Sequence, residues 1–112
     1  YVYGADGLLA CAAAADGKKL WQLDTRAAYR FHQNFFGVGS VPWVEGDLLL
    51  VAVGGSPPGP RPTDLRDAKP NGTCVVAFEK LTGKERWRVG DDLASYASPT
   101  VATIAGKRTG LY

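Results

Sequence analysis

Thr82-Gly83-Lys84-Glu85-Arg86-Trp87 and Asp16-Gly17-Lys18-Lys19-Leu20-Trp21 are two degenerate copies of one hexapeptide: a turn residue, Gly, Lys, two variable positions and Trp. A small-or-apolar stretch precedes each, Cys74-Val75-Val76-Ala77-Phe78 in one case and Leu8-Leu9-Ala10-Cys11-Ala12 in the other. Such a run suits a strand entering a tight turn. The glycine supplies the positive φ the turn requires, and a second strand leaves it carrying the Trp. The two Trp positions lie 66 residues apart, and self-similarity at a fixed spacing is the mark of a repeat architecture.

Outward from the hexapeptides the chain reads as short strands and turns. Residues 1–12 are apolar strand broken at Gly4-Ala5-Asp6-Gly7, whose Asp-Gly pair is a strong hairpin signal. Ala12 to Ala15 favour a helix by propensity, but four residues before a Gly turn are too few to nucleate one. Leu20 to Leu23 form the next strand. Residues 26–40 lack period 2 and period 3.6 and read as a long connection with one irregular helical turn. Val41-Pro42-Trp43-Val44, the turn Glu45-Gly46-Asp47 and the apolar run Leu48 to Val53 follow, the last with the pattern of a strand buried on both faces. Residues 54–72 are rich in Gly and Pro and cannot pair in a sheet, so they are expected as an exposed, polyproline-like insertion.

Thr73 to Phe78, the second Gly-Lys turn and Arg86 to Val89 then repeat the first unit. Ser98-Pro99-Thr100-Val101-Ala102 matches Ser40-Val41-Pro42-Trp43-Val44 in kind, which starts a third copy turning at Ala105-Gly106-Lys107. The unit is four strands, A to D, and a four-stranded antiparallel sheet per repeat is the makeup of a propeller blade. Without the insertion the spacing falls to about 50 residues, near that of propeller repeats.

Ala77-Phe78-Glu79-Lys80-Leu81-Thr82-Gly83-Lys84-Glu85-Arg86-Trp87 resembles the tryptophan-docking motif of pyrroloquinoline-quinone (PQQ) type β-propellers, which runs Ala, x, Asp, x, x, Thr, Gly, Lys, x, x, Trp. Glu79 stands at the Asp position. The first copy keeps Gly17, Lys18 and Trp21, with Cys11, Ala13 and Asp16 at the Ala, Asp and Thr positions. The resemblance implies an all-β fold, a β-propeller fragment of about two four-stranded blades from a ring of about seven or eight. Residues 1–25 would end one blade (strands B, C and D), 26–40 would link blades, 41–90 would form the second blade with the 54–72 insertion, and 98–112 would begin a third. It also implies that Gly17, Lys18, Trp21, Gly83, Lys84 and Trp87 are structural, each Trp fastening its sheet to the neighbouring blade. Trp21 and Trp87 are then expected to be equivalent buried pegs, each worth about 3–5 kcal/mol on truncation to Ala. A periplasmic, cell-envelope or secreted location follows from the resemblance. A closed small β-barrel complete within the 112 residues is the alternative architecture.

Composition narrows the function. Thirteen Lys and Arg face eleven Asp and Glu, giving a net charge of +2, and no basic run is interleaved with aromatics, so nucleic acid is not an expected partner. No apolar stretch approaches the roughly 18 residues of a membrane span. Cys11 and Cys74 lie among apolar residues and in no metal or redox spacing, which reads as two buried thiols. The chain opens on Tyr1-Val2-Tyr3, a strand in progress, and is expected to be a window on a longer protein.

Antiparallel order places connections 26–40 and 54–72 on one face and the tight turns on the other. Elaborated loops on a rigid scaffold are where binding resides. That face would carry Arg26, Tyr29, Arg30, His32, Gln33 and Asn34 from the first loop and Arg61, Asp64, Arg66, Asp67 and Lys69 from the second. Charged loop residues are commonly just solvated, and a lone His32 makes no metal site. The expectation is a non-enzymatic scaffold without a cofactor, binding a protein or small-molecule ligand on this face, with neighbouring blades of the same chain as its other partners. The alternative implied by the resemblance is part of a PQQ-dependent alcohol or sugar dehydrogenase, in which Ca2+ polarises the quinone, a carboxylate is the base, and adjacent cysteines bridge; Asp64 and Asp67 meet that pattern only in being carboxylates on this face. No adjacent Cys pair occurs here, and no Ser-His-Asp, nucleotide-loop or zinc pattern. Asn71-Gly72-Thr73 also fits a glycosylation sequon.

Overall fold

The computed structural model describes residues 1–32 and 36–112. Among these residues the fold is all-β apart from one helical turn and one 3-10 turn, and every strand pairing is antiparallel. Strands β1 (Val2–Tyr3), β2 (Leu8–Ala12) and β3 (Lys19–Asp24) form a three-stranded meander. A four-stranded meander follows, of β4 (Trp43–Glu45), β5 (Leu48–Ala52), β6 (Val75–Glu79) and β7 (Glu85–Val89). Strands β8 (Thr100–Ile104) and β9 (Lys107–Leu111) make a separate hairpin. All three sheets are open.

The two hexapeptides fold alike in detail. Trp21 pairs with Cys11 and Trp87 with Ala77, and each ladder shifts register directly after that pair. Gly17 and Gly83 both have φ of 73°. Their N–H groups donate to Ala13 and Glu79 carbonyls at 2.8 Å, while Ala13 and Glu79 N–H donate back to Lys18 and Lys84 carbonyls at 2.9 and 2.7 Å. Asp16 and Thr82, different in chemistry, do the same work: each side-chain oxygen accepts from the N–H two residues on, the short-range bond that makes Asp and Thr turn residues.

Packing splits by strand parity. Leu49, Val51, Val53, Val76 and Phe78 face Leu9, Tyr29, Phe31 and Val38, so this core joins the first two sheets. Leu50, Val75 and Ala77 face the other way, with Trp43, Leu48 and Val101 against them toward the hairpin. Leu48–Val53 is an uninterrupted apolar run because the middle sheet is covered on both sides. Each fully buried Val, Leu or Phe contributes about 1.5–3 kcal/mol, which makes this sheet the centre of the fold.

Surroundings, unlike backbone, distinguish the two Trp residues. Trp21 is half-buried, lies against Gly83, and donates from Nε1 to the Lys80 carbonyl at 3.1 Å. Trp87 is 42% exposed beside Pro99, Leu111 and Tyr112. The expectation of two equivalent buried pegs is therefore corrected. A hexapeptide fixes the indole's register, but its cover comes from whatever sheet stands beside it, and the hairpin beside Trp87 presents Pro99, Leu111 and Tyr112 rather than a turn glycine like the one that receives Trp21.

Residues 54–72 also depart from expectation. Gly54, Gly55 and Ser56 are buried, and only from Pro57 onward does the segment reach solvent. It contains a 3-10 turn, Leu65–Asp67, capped by Asp64. Backbone polarity explains the buried root: Gly54 N–H donates to the Thr73 carbonyl at 2.8 Å, Ala94 N–H to the Gly54 carbonyl at 3.1 Å, and Ser56 N–H to the Tyr29 carbonyl at 3.1 Å. The first bond continues the β5–β6 ladder and the other two tie the segment to Ala94 and Tyr29, so these buried backbone groups are paired within the protein.

Candidate functional site

The site begins with a single helical turn. Asp24 ends β3 and accepts the Ala27 N–H at 2.9 Å, starting helix α1 (Thr25–Tyr29). Arg30 stops it in the left-handed region, φ 58° and ψ 38°, with its N–H donated to the Arg26 carbonyl at 2.9 Å. So short a helix is not stable by itself. Tyr29 holds it: the ring packs edge-on to Phe78 at 6.2 Å, and the hydroxyl donates to Glu85 Oε2 at 2.7 Å. Burial first, then the bond to Glu85, push the Tyr29 phenol far above its usual value of 10. Arg88 pairs with Glu85 at 2.7 Å and lies over the Tyr29 ring at 5.8 Å.

The Tyr29 carbonyl is in turn the floor on which the insertion rests. It accepts from Ser56 N–H and sits where a Cβ on Gly55 would come within 2.2 Å, so only glycine permits the approach. Asn71 donates from Nδ2 to the Ser56 carbonyl at 2.9 Å and accepts from the Thr73 hydroxyl. The Asn71 amide is thus committed inside the root of the insertion.

Together these contacts bring the two long loops to one side. Arg26, Ala27, Arg30, Phe31, His32, Gly59 and Arg61 line a concavity of about 510 Å³. A smaller hollow of about 180 Å³ adjoins it through His32 and Gly59 and is lined by Ser56, the prolines, Asp67 and Lys69. The tight turns lie at the opposite end, where Asp47, Glu79, Lys80, Thr82 and Arg86 meet, because β5 pairs Leu48 with Glu79 at one end and Ala52 with Val75 at the other. The single-face reading of the loops agrees with this geometry.

Of the sequence candidates, Arg26, Arg30, His32 and Arg61 come together in the larger concavity, and Asp67 lies in the smaller one. Asp64 and Arg66 do not join them. They close on each other at 2.6 Å, with the Arg66 side chain 90% exposed, although Asp67 of the same 3-10 turn lines the smaller hollow. The Arg66 partner holds the Asp64 carboxyl below its usual range. Asn34 and Gln33 lie outside the described residues. Sequence reasoning placed Tyr29 and Asn71 on the loops but missed their anchoring role, for which the signal was slight: an aromatic in an otherwise polar helical turn.

Electrostatically the larger concavity is one-sided. Its charged lining is three arginines and no carboxylate among the described residues. Burial, and after it the Arg61 charge, hold the His32 imidazole below 6.5, so it is neutral near pH 7. The buried Ser56 hydroxyl has no hydrogen-bond partner among the described residues. No group of three or more His, Cys, Asp or Glu side chains gathers there or elsewhere among them, and Cys11, in β2, and Cys74, just before β6, are both free and buried. This donor set does not fit a calcium ion, whose ligands are oxygens of carboxylates and carbonyls, nor a ring-capping disulfide. Among the described residues no helix is long and apolar enough to cross a membrane. Comparison with protein-family models, curated proteins and solved structures finds no match to this chain.

Proposed function

We propose that the chain is a segment of a PQQ-like β-propeller acting as a non-enzymatic binding scaffold, with its ligand, a protein or a small molecule, on the face that carries loops 26–40 and 54–72. The propeller reading is supported by the two hexapeptides sharing one backbone conformation and by Trp21 of one sheet resting on the Gly-Lys turn of the next. In this reading the three sheets are successive blades, and the location is the cell envelope or beyond it. One observation carries the functional reading: two loops from different sheets converge on a concavity of about 510 Å³, within the size range of small-molecule sites. The cofactor alternative is disfavoured by the cationic lining, which supplies no calcium ligand.

A fragment-library screen by two-dimensional NMR tests it. Shifts induced by hits are expected at residues 26–32 and 56–69. Clustering at the Glu45–Asp47 and Leu81–Lys84 turns instead would reject the assignment of the face. Uptake of PQQ with Ca2+, followed by oxidation of an alcohol or sugar, would replace the scaffold with the dehydrogenase.

A further inference from the structure

Resting on that choice of face, we infer that the concavity lined by Arg26, Arg30 and Arg61 is an anion site, taking a small ligand with two or more negative charges on oxyanion groups, a phosphate ester or a polycarboxylate. The pairing pattern of the arginines carries the inference. Arg66, Arg86, Arg88 and Arg108 each meet a carboxylate, at 2.6, 3.0, 2.7 and 2.6 Å. Arg30 and Arg61, which line the hollow, have no ion-pair partner among the described residues. A surface that neutralises those four guanidinium groups and leaves Arg30 and Arg61 beside one hollow carries unbalanced positive charge there, and an anion balances it.

Chain geometry agrees. Arg30 occupies the left-handed region, at a cost of about 1–2 kcal/mol for a residue with a Cβ, where Gly would cost little. Strain of this kind is retained where the side chain has work to do. The guanidinium fork matches phosphate and carboxylate oxygens two at a time. Gly59, at φ 158°, meets nothing within 4 Å of a built Cβ, leaving the rim between Arg61 and His32 open. The orphan Ser56 hydroxyl in the adjoining hollow is a spare donor for an oxygen of a larger ligand.

Titration of the intact chain with pyrophosphate and, separately, citrate at low ionic strength tests the inference, read by calorimetry and by the NMR signals of the arginine Nε–H groups. Saturable binding of either supports it, and the tighter of the two assigns the ligand to phosphate or carboxylate chemistry. Arg30→Gln and Arg61→Gln should each weaken binding roughly tenfold, while Arg66→Gln stays within about twofold of the parent, its charge being already paired. Arg30→Gly separates site from scaffold: it removes the guanidinium while relieving the backbone, so binding should fall with stability kept or raised. No saturable binding of either anion, or equal loss in Arg66→Gln and Arg61→Gln, overturns the inference. If anions fail while neutral fragments still shift residues 26–32 and 56–69, the anion chemistry is wrong and the binding face survives. If they bind at the opposite turns, both readings fall.

Discussion

The indole of Trp21 lies flat enough against Gly83 that a Cβ built on that glycine would come within 2.8 Å of the ring. Gly17 has the same φ of 73° and the same turn bonds, yet a Cβ there meets nothing within 4 Å. The pair is an internal control. Gly17→Ala should cost about 1 kcal/mol, the left-handed backbone term alone. Gly83→Ala adds the displaced indole and should cost about 2–4 kcal/mol in urea denaturation. Equal midpoints for the two variants would mean that Trp21 is not seated on Gly83 in solution.

The two Trp residues should differ in the same sense. Trp21→Ala removes a half-buried ring, its 6.0 Å contact with Tyr1 and the bond to the Lys80 carbonyl, a loss of about 3 kcal/mol. Trp87→Ala, at 42% exposure, should cost about 1 kcal/mol or less in the isolated chain. Fluorescence should agree, with acrylamide quenching of the parent falling mostly on Trp87. A larger loss from Trp87→Ala would contradict the packing described.

Tyr29 is the tie between helix and middle sheet. Tyr29→Phe keeps the ring against Phe78 and leaves Glu85 to Arg88, so about 1 kcal/mol is expected. Tyr29→Ala opens a core cavity and should cost about 3–5 kcal/mol. Absorbance titration should show its phenolate, and that of Tyr3, whose phenol burial raises to about 12, ionising well above the exposed tyrosines. Both phenols ionising near pH 10 in the folded chain would argue against their burial.

His32 gives the cleft a pH dependence. Its charged and titratable surroundings are Arg26 and Arg30 from the helix and its cap, and Arg61, Asp67 and Lys69 from the insertion. In the free chain the imidazole is held below 6.5. A bound dianion favours the imidazolium, so binding takes up a proton and tightens as pH falls through and below that value. Sulfate is the suitable probe because its own charge stays constant over the range. His32→Gln should flatten the profile while leaving affinity at neutral pH within about twofold. A flat profile in the parent would show that His32 does not face the anion.

Strand and turn positions were legible because their causes are local. Gly83 and Gly17 mark left-handed turn positions, and the apolar run at Leu48–Val53 announces cover on both sides. The third copy's hairpin, with Ala105 and Gly106 both at positive φ, follows from the same turn chemistry. The cleft was legible only as a face. That Arg26, Arg30 and Arg61 meet while Asp64 and Arg66 pair with each other depends on Tyr29 reaching Glu85, 56 residues distant, and on a glycine at position 55 letting the backbones touch. Trp87 was misjudged as buried for a related reason. The hexapeptide sets which way the ring points, and only the neighbouring sheet decides whether anything lies there.

The walls of the cleft belong to different sheets, with α1 following β3 and the insertion leaving β5, whereas the Trp21–Gly83 contact sits at the far end of the middle sheet, beside the tight turns. At the cleft end the same two sheets are joined by the Tyr29 carbonyl, which accepts the Ser56 N–H. The sheets are therefore clasped at both ends, by an indole on a glycine at one and by a backbone bond at the other.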